Sequence, residues 1–286
     1  MQALTRATSK VHDPIALFIA GAGNAVLIAG LMAVLGDTIE ELNELARIYE
    51  VLELYPAMAQ EMKAVADLRN EAGEEFTLDE RNRLSIAYKH KTGQLRSAWR
   101  TTMEMIPSAR NETTAELIRK VQNQLKEEIV ADCHAVIKML EKQNIGADEA
   151  GIFLIKMRGD YFRYLAEVDL DNSKFREEAG SAYEEASKLA NELLPSTHSV
   201  RLGLALNHSV FLYEIVGDKT QARQLAKSAL DGALQNFTKA DEKQQEVTFI
   251  LQLLRDNLTL WAANEDEEEN DQVTVCHIDS RNLNKT

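Results

Sequence analysis

"ERNRLSIAYKHKTGQLRSAWR", residues 80–100, is the stretch on which the fold turns. Its apolar residues recur at three- and four-residue intervals rather than alternating, the mark of an amphipathic helix. From Leu84 onward it carries Lys89, Lys91, Arg96, Arg100 and His90 and no acid. Lys89 and Arg96 stand seven apart, two helical turns, and so share one face. The chain around this basic strip is acidic, with 32 Lys+Arg against 46 Asp+Glu and a formal net charge of -14. Such a field repels phosphate polyanions and disfavours general nucleic-acid binding, so an anion site here must be local.

The helical pattern extends outward in both directions. The 286 residues are 45% hydrophobic, enough for a substantial core, and hold only 4 Pro and 13 Gly, a composition that favours helix. From Thr38 to Trp261 nearly everything reads as amphipathic helix, and the breaks predict about nine of them, an all-α bundle with no strand. Short connections favour antiparallel neighbours. Ser108 and Thr197 are expected as helix caps, and Thr77 with Glu80 has capping-box spacing. The expected domains are an apolar extension (1–37), a helical domain (38–263) and an acidic, disordered tail (264–286), since "NEDEEENDQ" cannot bury enough surface to order itself.

"PIALFIAGAGNAVLIAGLMAVLG", residues 14–36, has no charged residue and is long enough to cross a bilayer. It reads as a membrane span, against which stand two alternatives, a buried or self-associating apolar helix and an extension that is not retained. As a span, its flanking charges would send the rest of the chain across the membrane.

Catalytic signatures are poor. His12, His90, His134, His198, His208 and His277 form no metal-ligand spacing. Cys133 and Cys276 sit far apart, a pattern that fits a reducing compartment. "GAGNAV" lacks the third Gly of a dinucleotide fingerprint. The expectation is a non-enzyme with no cofactor and no metal. A second cationic face is more informative: Lys156 and Arg163 repeat the seven-residue spacing, with Tyr164 next. Two such helices side by side would converge Arg forks, an ammonium and a phenol, which suits a phosphomonoester. Solvated surface charge is the plain alternative. On two further helices, Leu206, Asn207, Val210 and Glu214, and Ile250, Leu253, Asn257, Leu260 and Trp261, fall along single faces. Asn on an apolar face needs a partner, and its amide can bond a peptide backbone through both N–H and C=O.

Together with residues 80–100, "KMRGDYFRYLAEV" (156–168), "RLGLALNHSVFLYEI" (201–215) and "LQLLRDNLTLW" (251–261) resemble the 14-3-3 family in order and spacing. The resemblance runs from about Ile39 to Trp261. It implies nine antiparallel helices around an amphipathic groove that binds phosphoserine or phosphothreonine peptides without catalysis. By position it implies that Lys89, Arg96, Arg163 and Tyr164 form the phosphate pocket and that Asn207 and Asn257 clamp the peptide backbone. It further implies an apolar wall of Leu206, Val210, Ile250, Leu253, Leu260 and Trp261, with Lys156 and Glu214 near the edge. His208, Leu95 and Phe249 depart from the family pattern, so altered peptide preference is expected. Leu54 and Ala57, beside Tyr55, replace charges at the family's dimer seam, so a weakened homodimer or a monomer is expected. Implied partners are Ser/Thr-phosphorylated proteins in the cytoplasm, and Asn207 and Asn257 lie in N-x-[ST] sequons that suit no glycosylating lumen. The chain's own tail, phosphorylated at Thr274 or Ser280, is a further expected occupant of the groove. A helical-repeat scaffold for unmodified peptides and a membrane-anchored structural protein are the alternatives.

Overall fold

The computed structural model describes residues 38–236 and 244–282, with side chains described as far as Asn264. Among the described residues there are nine α-helices and no strand: α1 (Ile39–Val51), α2 (Tyr55–Ala72), α3 (Leu78–Met105), α4 (Glu112–Glu141), α5 (Glu149–Val168), α6 (Ser173–Leu193), α7 (Ser199–Phe211), α8 (Lys219–Asn236) and α9 (Gln244–Asn282). A π-helical turn, Leu212–Val216, closes α7. None of the described helices is long and apolar enough to cross a membrane. The 14–36 segment lies outside the described residues. The chain forms two compact units that divide within α3, one up to Gln94 and one from Leu95.

In the first unit α1 packs on α2. Thr38 opens α1 with a reciprocal capping box: its hydroxyl accepts from Glu41 N at 3.2 Å while the Glu41 carboxylate accepts from Thr38 N at 3.2 Å. The expected box before α3 is present too, with Glu80 N donating to Thr77 Oγ1 (3.2 Å) and Thr77 N to Glu80 Oε2 (2.8 Å). Glu80 is only 3% exposed and also accepts from Asn43 Nδ2 and Arg69 Nη2, both at 3.0 Å. One carboxylate thus caps α3 and ties it to α1 and α2. Of the other expected caps, Ser108 donates back to Glu104 and Met105 carbonyls and so closes α3, while Asn111 caps α4. His198, not Thr197, caps α7, its Nδ1 accepting from Val200 N at 3.3 Å.

The apolar face of α2 buries Ala57, Met58, Met62 and Val65, and with them Glu61. Glu61 is 5% exposed and has no hydrogen-bond partner among the described residues. Burial pushes its carboxyl above the usual range, and the neighbouring Tyr49 phenol is pushed up by burial and then by Glu61's charge. The charged form is the one penalised. The penalty is therefore absent below the unfolded pKa and grows as pH rises through the higher folded one. Glu61→Met is expected to stabilise the protein by about 1–2 kcal/mol at pH 7. That gain should fade as urea unfolding is repeated towards pH 4.

In the second unit the core is built where α5, α6, α7, α8 and α9 meet, around Ile155, Tyr183, Leu204, Phe211 and Leu254. Four alanines of α6, Ala179, Ala182, Ala186 and Ala190, are fully buried and let neighbouring helices approach closely. On α5 the matching position is Gly159, where a Cβ would lie 3.2 Å from the Tyr183 ring and 3.4 Å from Ala182 Cβ. This close approach brings the Tyr183 phenol to the neighbouring Asp160. The backbone of α9 continues through the acidic run to Asn282, whereas the sequence suggests order ends near Trp261. A helix needs only local backbone bonds to propagate, so losing the apolar stripe does not by itself end it.

Candidate functional site

Five residues of α5, Lys156, Asp160, Arg163, Tyr164 and Glu167, recur at three- and four-residue steps and form one face. Opposite them stands the C-terminal half of α3. Arg96 Cζ lies 3.7 Å from the Tyr164 ring centroid and Arg163 Cζ lies 4.7 Å from it, so two guanidinium groups from two helices share one aromatic ring. Arg96 is held from the side by Glu167, through Nε at 2.7 Å and Nη2 at 2.6 Å. Arg100 bonds the other Glu167 oxygen, and its Nη2 lies 3.5 Å from Glu214 Oε2. With Nε and Nη2 on Glu167, the other guanidinium nitrogen of Arg96, Nη1, has no hydrogen-bond partner among the described residues.

Arg163 is fixed differently. It is 6% exposed, and its Nε donates to Tyr183 Oη at 3.0 Å. Tyr183 in turn donates to Asp160 Oδ1 at 2.6 Å. Asp160 Oδ1 also accepts from Asn207 Nδ2 at 2.8 Å and lies 3.6 Å from Arg163 Nη2, while Oδ2 accepts from Lys156 Nζ at 2.8 Å. Burial acts to raise the Asp160 pKa, but the charges of Lys156 and Arg163 and the bonds from Lys156 and Tyr183 outweigh it and hold the carboxyl below its ordinary value. Burial pushes the Tyr183 phenol well up, which keeps it a donor.

The apolar face gathers on α7 and α9. Leu206, Val210 and Ile250 are partly buried against the core cluster, in which Trp261 is buried. Lys156 Cε and Ile250 Cδ1 both lie about 4 Å from where a Cβ on Gly203 would stand, which puts α5, α7 and α9 at one place. Leu253 is half-buried and Leu260 is 58% exposed. Trp261 is buried, its ring stacked on that of Tyr213 with centroids 4.5 Å apart. Asn257 is half-buried with no partner among the described residues. Glu214 is exposed and meets Arg100. Lys89 is exposed on α3, one heptad before Arg96, in the first unit.

The sequence-level reading missed Asp160, Glu167, Arg100 and Tyr183 as site residues. The first two carried a signal, because they fall on the same α5 face as the cations. Tyr183 carried none, since it comes from another helix. His208 stacks on Tyr183 at 5.3 Å and meets Ser187 Oγ at 3.3 Å, so its described contacts are internal. Burial lowers its pKa to about 4, so it is neutral at physiological pH.

The family model for 14-3-3 proteins matches residues 45–262. The chain belongs to the 14-3-3 family. It is 40% identical over 244 residues to 14-3-3-like protein 1 of Caenorhabditis elegans, covering 83% of this chain and 97% of that one. It is 39% identical over 243 residues to 14-3-3 protein 5 of Solanum lycopersicum, covering 82% and 94%. With 14-3-3 protein beta/alpha-A of Xenopus laevis it shares 40% over 240 residues, covering 82% and 97%. All four stretches that carry the resemblance lie in or overlap the region that the 14-3-3 model matches.

Proposed function

We propose that this 14-3-3 protein is a non-catalytic adaptor that binds segments of cytoplasmic partner proteins phosphorylated on serine or threonine. Its family membership supports the adaptor role. The observation that carries the finer reading is the convergence of Arg96 and Arg163 on Tyr164, each guanidinium already oriented by a carboxylate or a phenol. A phosphomonoester dianion offers three acceptor oxygens, which two such forks suit better than a single carboxylate. Lys89 is assigned a supporting charge from its sequence position alone. Asn207 and Asn257 are assigned to the ligand's main chain, with Leu206, Val210, Ile250, Leu253 and Leu260 as the apolar side and Lys156 and Glu214 at the rim.

Self-association is inferred to be weaker than is usual in the family, because Leu54 and Ala57 bring no charge to the seam. Occupation of the groove by the chain's own tail demands more than the sequence suggests. Thr274 and Ser280 fall within α9, and 13 residues of helix from Trp261 to Thr274 advance about 20 Å in one direction. The tail must unwind before it can return.

Fluorescence anisotropy with one peptide in phosphorylated and unphosphorylated forms tests the reading. The phosphorylated form should bind at least about 100-fold more tightly, two charge-assisted contacts being lost without it. Equal affinities would favour a helical scaffold for unmodified peptides instead.

A further inference from the structure

The first unit holds a cavity built wholly from residues 39–83, between α1, the end of α2 and the first turns of α3. Its volume, about 650 Å³, falls in the range of about 300–1,000 Å³ usual for small-ligand sites. Two atoms of lining residues, Asn43 Oδ1 and Arg83 Nε, are buried and have no hydrogen-bond partner among the described residues. A polar atom left so is costly, and each asks for a reason. The two ask for opposite things. Asn43 is held by its nitrogen, which donates to Ile39 O and Glu80 Oε1, both at 3.0 Å, so the end left over is an acceptor. Arg83 Nε is a donor, and Glu50 Oε2 stands 3.7 Å from it, beyond hydrogen-bond range.

Charge adds an independent constraint. Arg47 pairs with Glu44, and Arg69 pairs with Glu80 and Glu74, so these charges are answered within the protein. Glu40 and Asp79 are exposed lining residues with no ion pair or hydrogen bond among the described residues. Each sits in the first turn of its helix, where an acid is ordinary. Each also stands one turn before an orphan atom's residue, Glu40 before Asn43 and Asp79 before Arg83, so surplus negative charge flanks both.

We propose that this cavity binds the free amino terminus of a polypeptide. The ammonium donates to Asn43 Oδ1 beside the two carboxylates, and the first carbonyl oxygen accepts from Arg83 Nε. An ammonium has donors only, so it meets the acceptor and the charge together. The carbonyl is a neutral acceptor, which the surplus negative charge tolerates better than it would a carboxylate. A lysine side chain brings the ammonium without an acceptor next to it. The assignment does not depend on the phosphopeptide reading.

Isothermal titration calorimetry on the full chain tests it, with trialanine amide, its N-acetylated form and Nα-acetyl-lysine amide as probes. Trialanine amide should bind at least about tenfold more tightly than either of the others, since each of those lacks the ammonium or the carbonyl beside it. The double variant Glu40→Gln with Asp79→Asn should weaken trialanine amide about tenfold or more. Arg83→Met should weaken it about threefold or more. Asn43 is left in place because its nitrogen also holds the buried Glu80. The proposal is overturned if trialanine amide does not bind at about 10 mM. Equal binding of the acetylated peptide overturns it as well, as does equal binding of the lysine derivative, which would mark a general cation site. So does natural affinity in the double variant. If Arg83→Met does not fold, as read by circular dichroism, the double variant decides, because both of its positions are exposed.

Discussion

Arg96→Ala should weaken binding of a phosphorylated peptide by about 50-fold or more while leaving its unphosphorylated form nearly unaffected. Two effects add. The first is loss of a charge-assisted contact to the phosphate, about 1.5–3 kcal/mol. The second is the release of Glu167, which loses the guanidinium lying 2.6 Å away and keeps only Arg100. Its carboxylate then faces the incoming dianion with less neutralisation, and like charges at such range repel. The double variant Arg96→Ala with Glu167→Gln should therefore recover part of the affinity. Arg96 is a better probe than Arg163, because Arg163 is buried and substitution there disturbs the core as well as the site. If Arg96→Ala binds both peptide forms like the natural chain, as measured by anisotropy, the phosphate site lies elsewhere.

Asp160→Ala should cost about 3–5 kcal/mol of folding stability at pH 7, the range expected when a buried charge loses its counter-ion. Arg163 would be left almost fully buried beside the Tyr183 phenol and the Tyr164 ring with no carboxylate in contact, and Lys156, Tyr183 and Asn207 would each lose an acceptor. The effect should depend on pH. The folded-state carboxyl gives up its proton more readily than the unfolded one, so its stabilisation is complete above the unfolded pKa of about 4. It drains away as pH falls through the lower folded value. The gap between variant and natural chain, read from urea midpoints, should narrow in acid. A gap below about 1 kcal/mol at pH 7 would mean that the network is a surface feature rather than a buried one.

The helices and the cationic residues were legible in the sequence because both are local. Amphipathic spacing shows within one helix, and so does the seven-residue step from Lys156 to Arg163. The Thr77–Glu80 box was legible for the same reason, its two partners being three residues apart. The counter-charges were not read. Asp160 and Glu167 sit among the cations of α5 and look like ordinary solubilising acids until α6 supplies Tyr183 from 20 residues away and α3 supplies Arg96 from 71 away. The burial of Trp261 was hidden too, since a tryptophan at the end of an apolar stripe reads the same whether it is exposed or stacked on Tyr213. The caps at Asn111 and His198 were misassigned because several polar residues cluster at each break, and backbone geometry rather than composition chooses among them.

Glu167 and Tyr183 each hold one of the two guanidinium groups, so the fold itself already restrains the rotamers of both arginines. On the proposed reading, an anion docking there would order itself and little of its receptor, which would remove about 1 kcal/mol per side chain from the entropic cost of association. Partners of such a rigid cradle should reach it at similar speeds and differ chiefly in how long they stay.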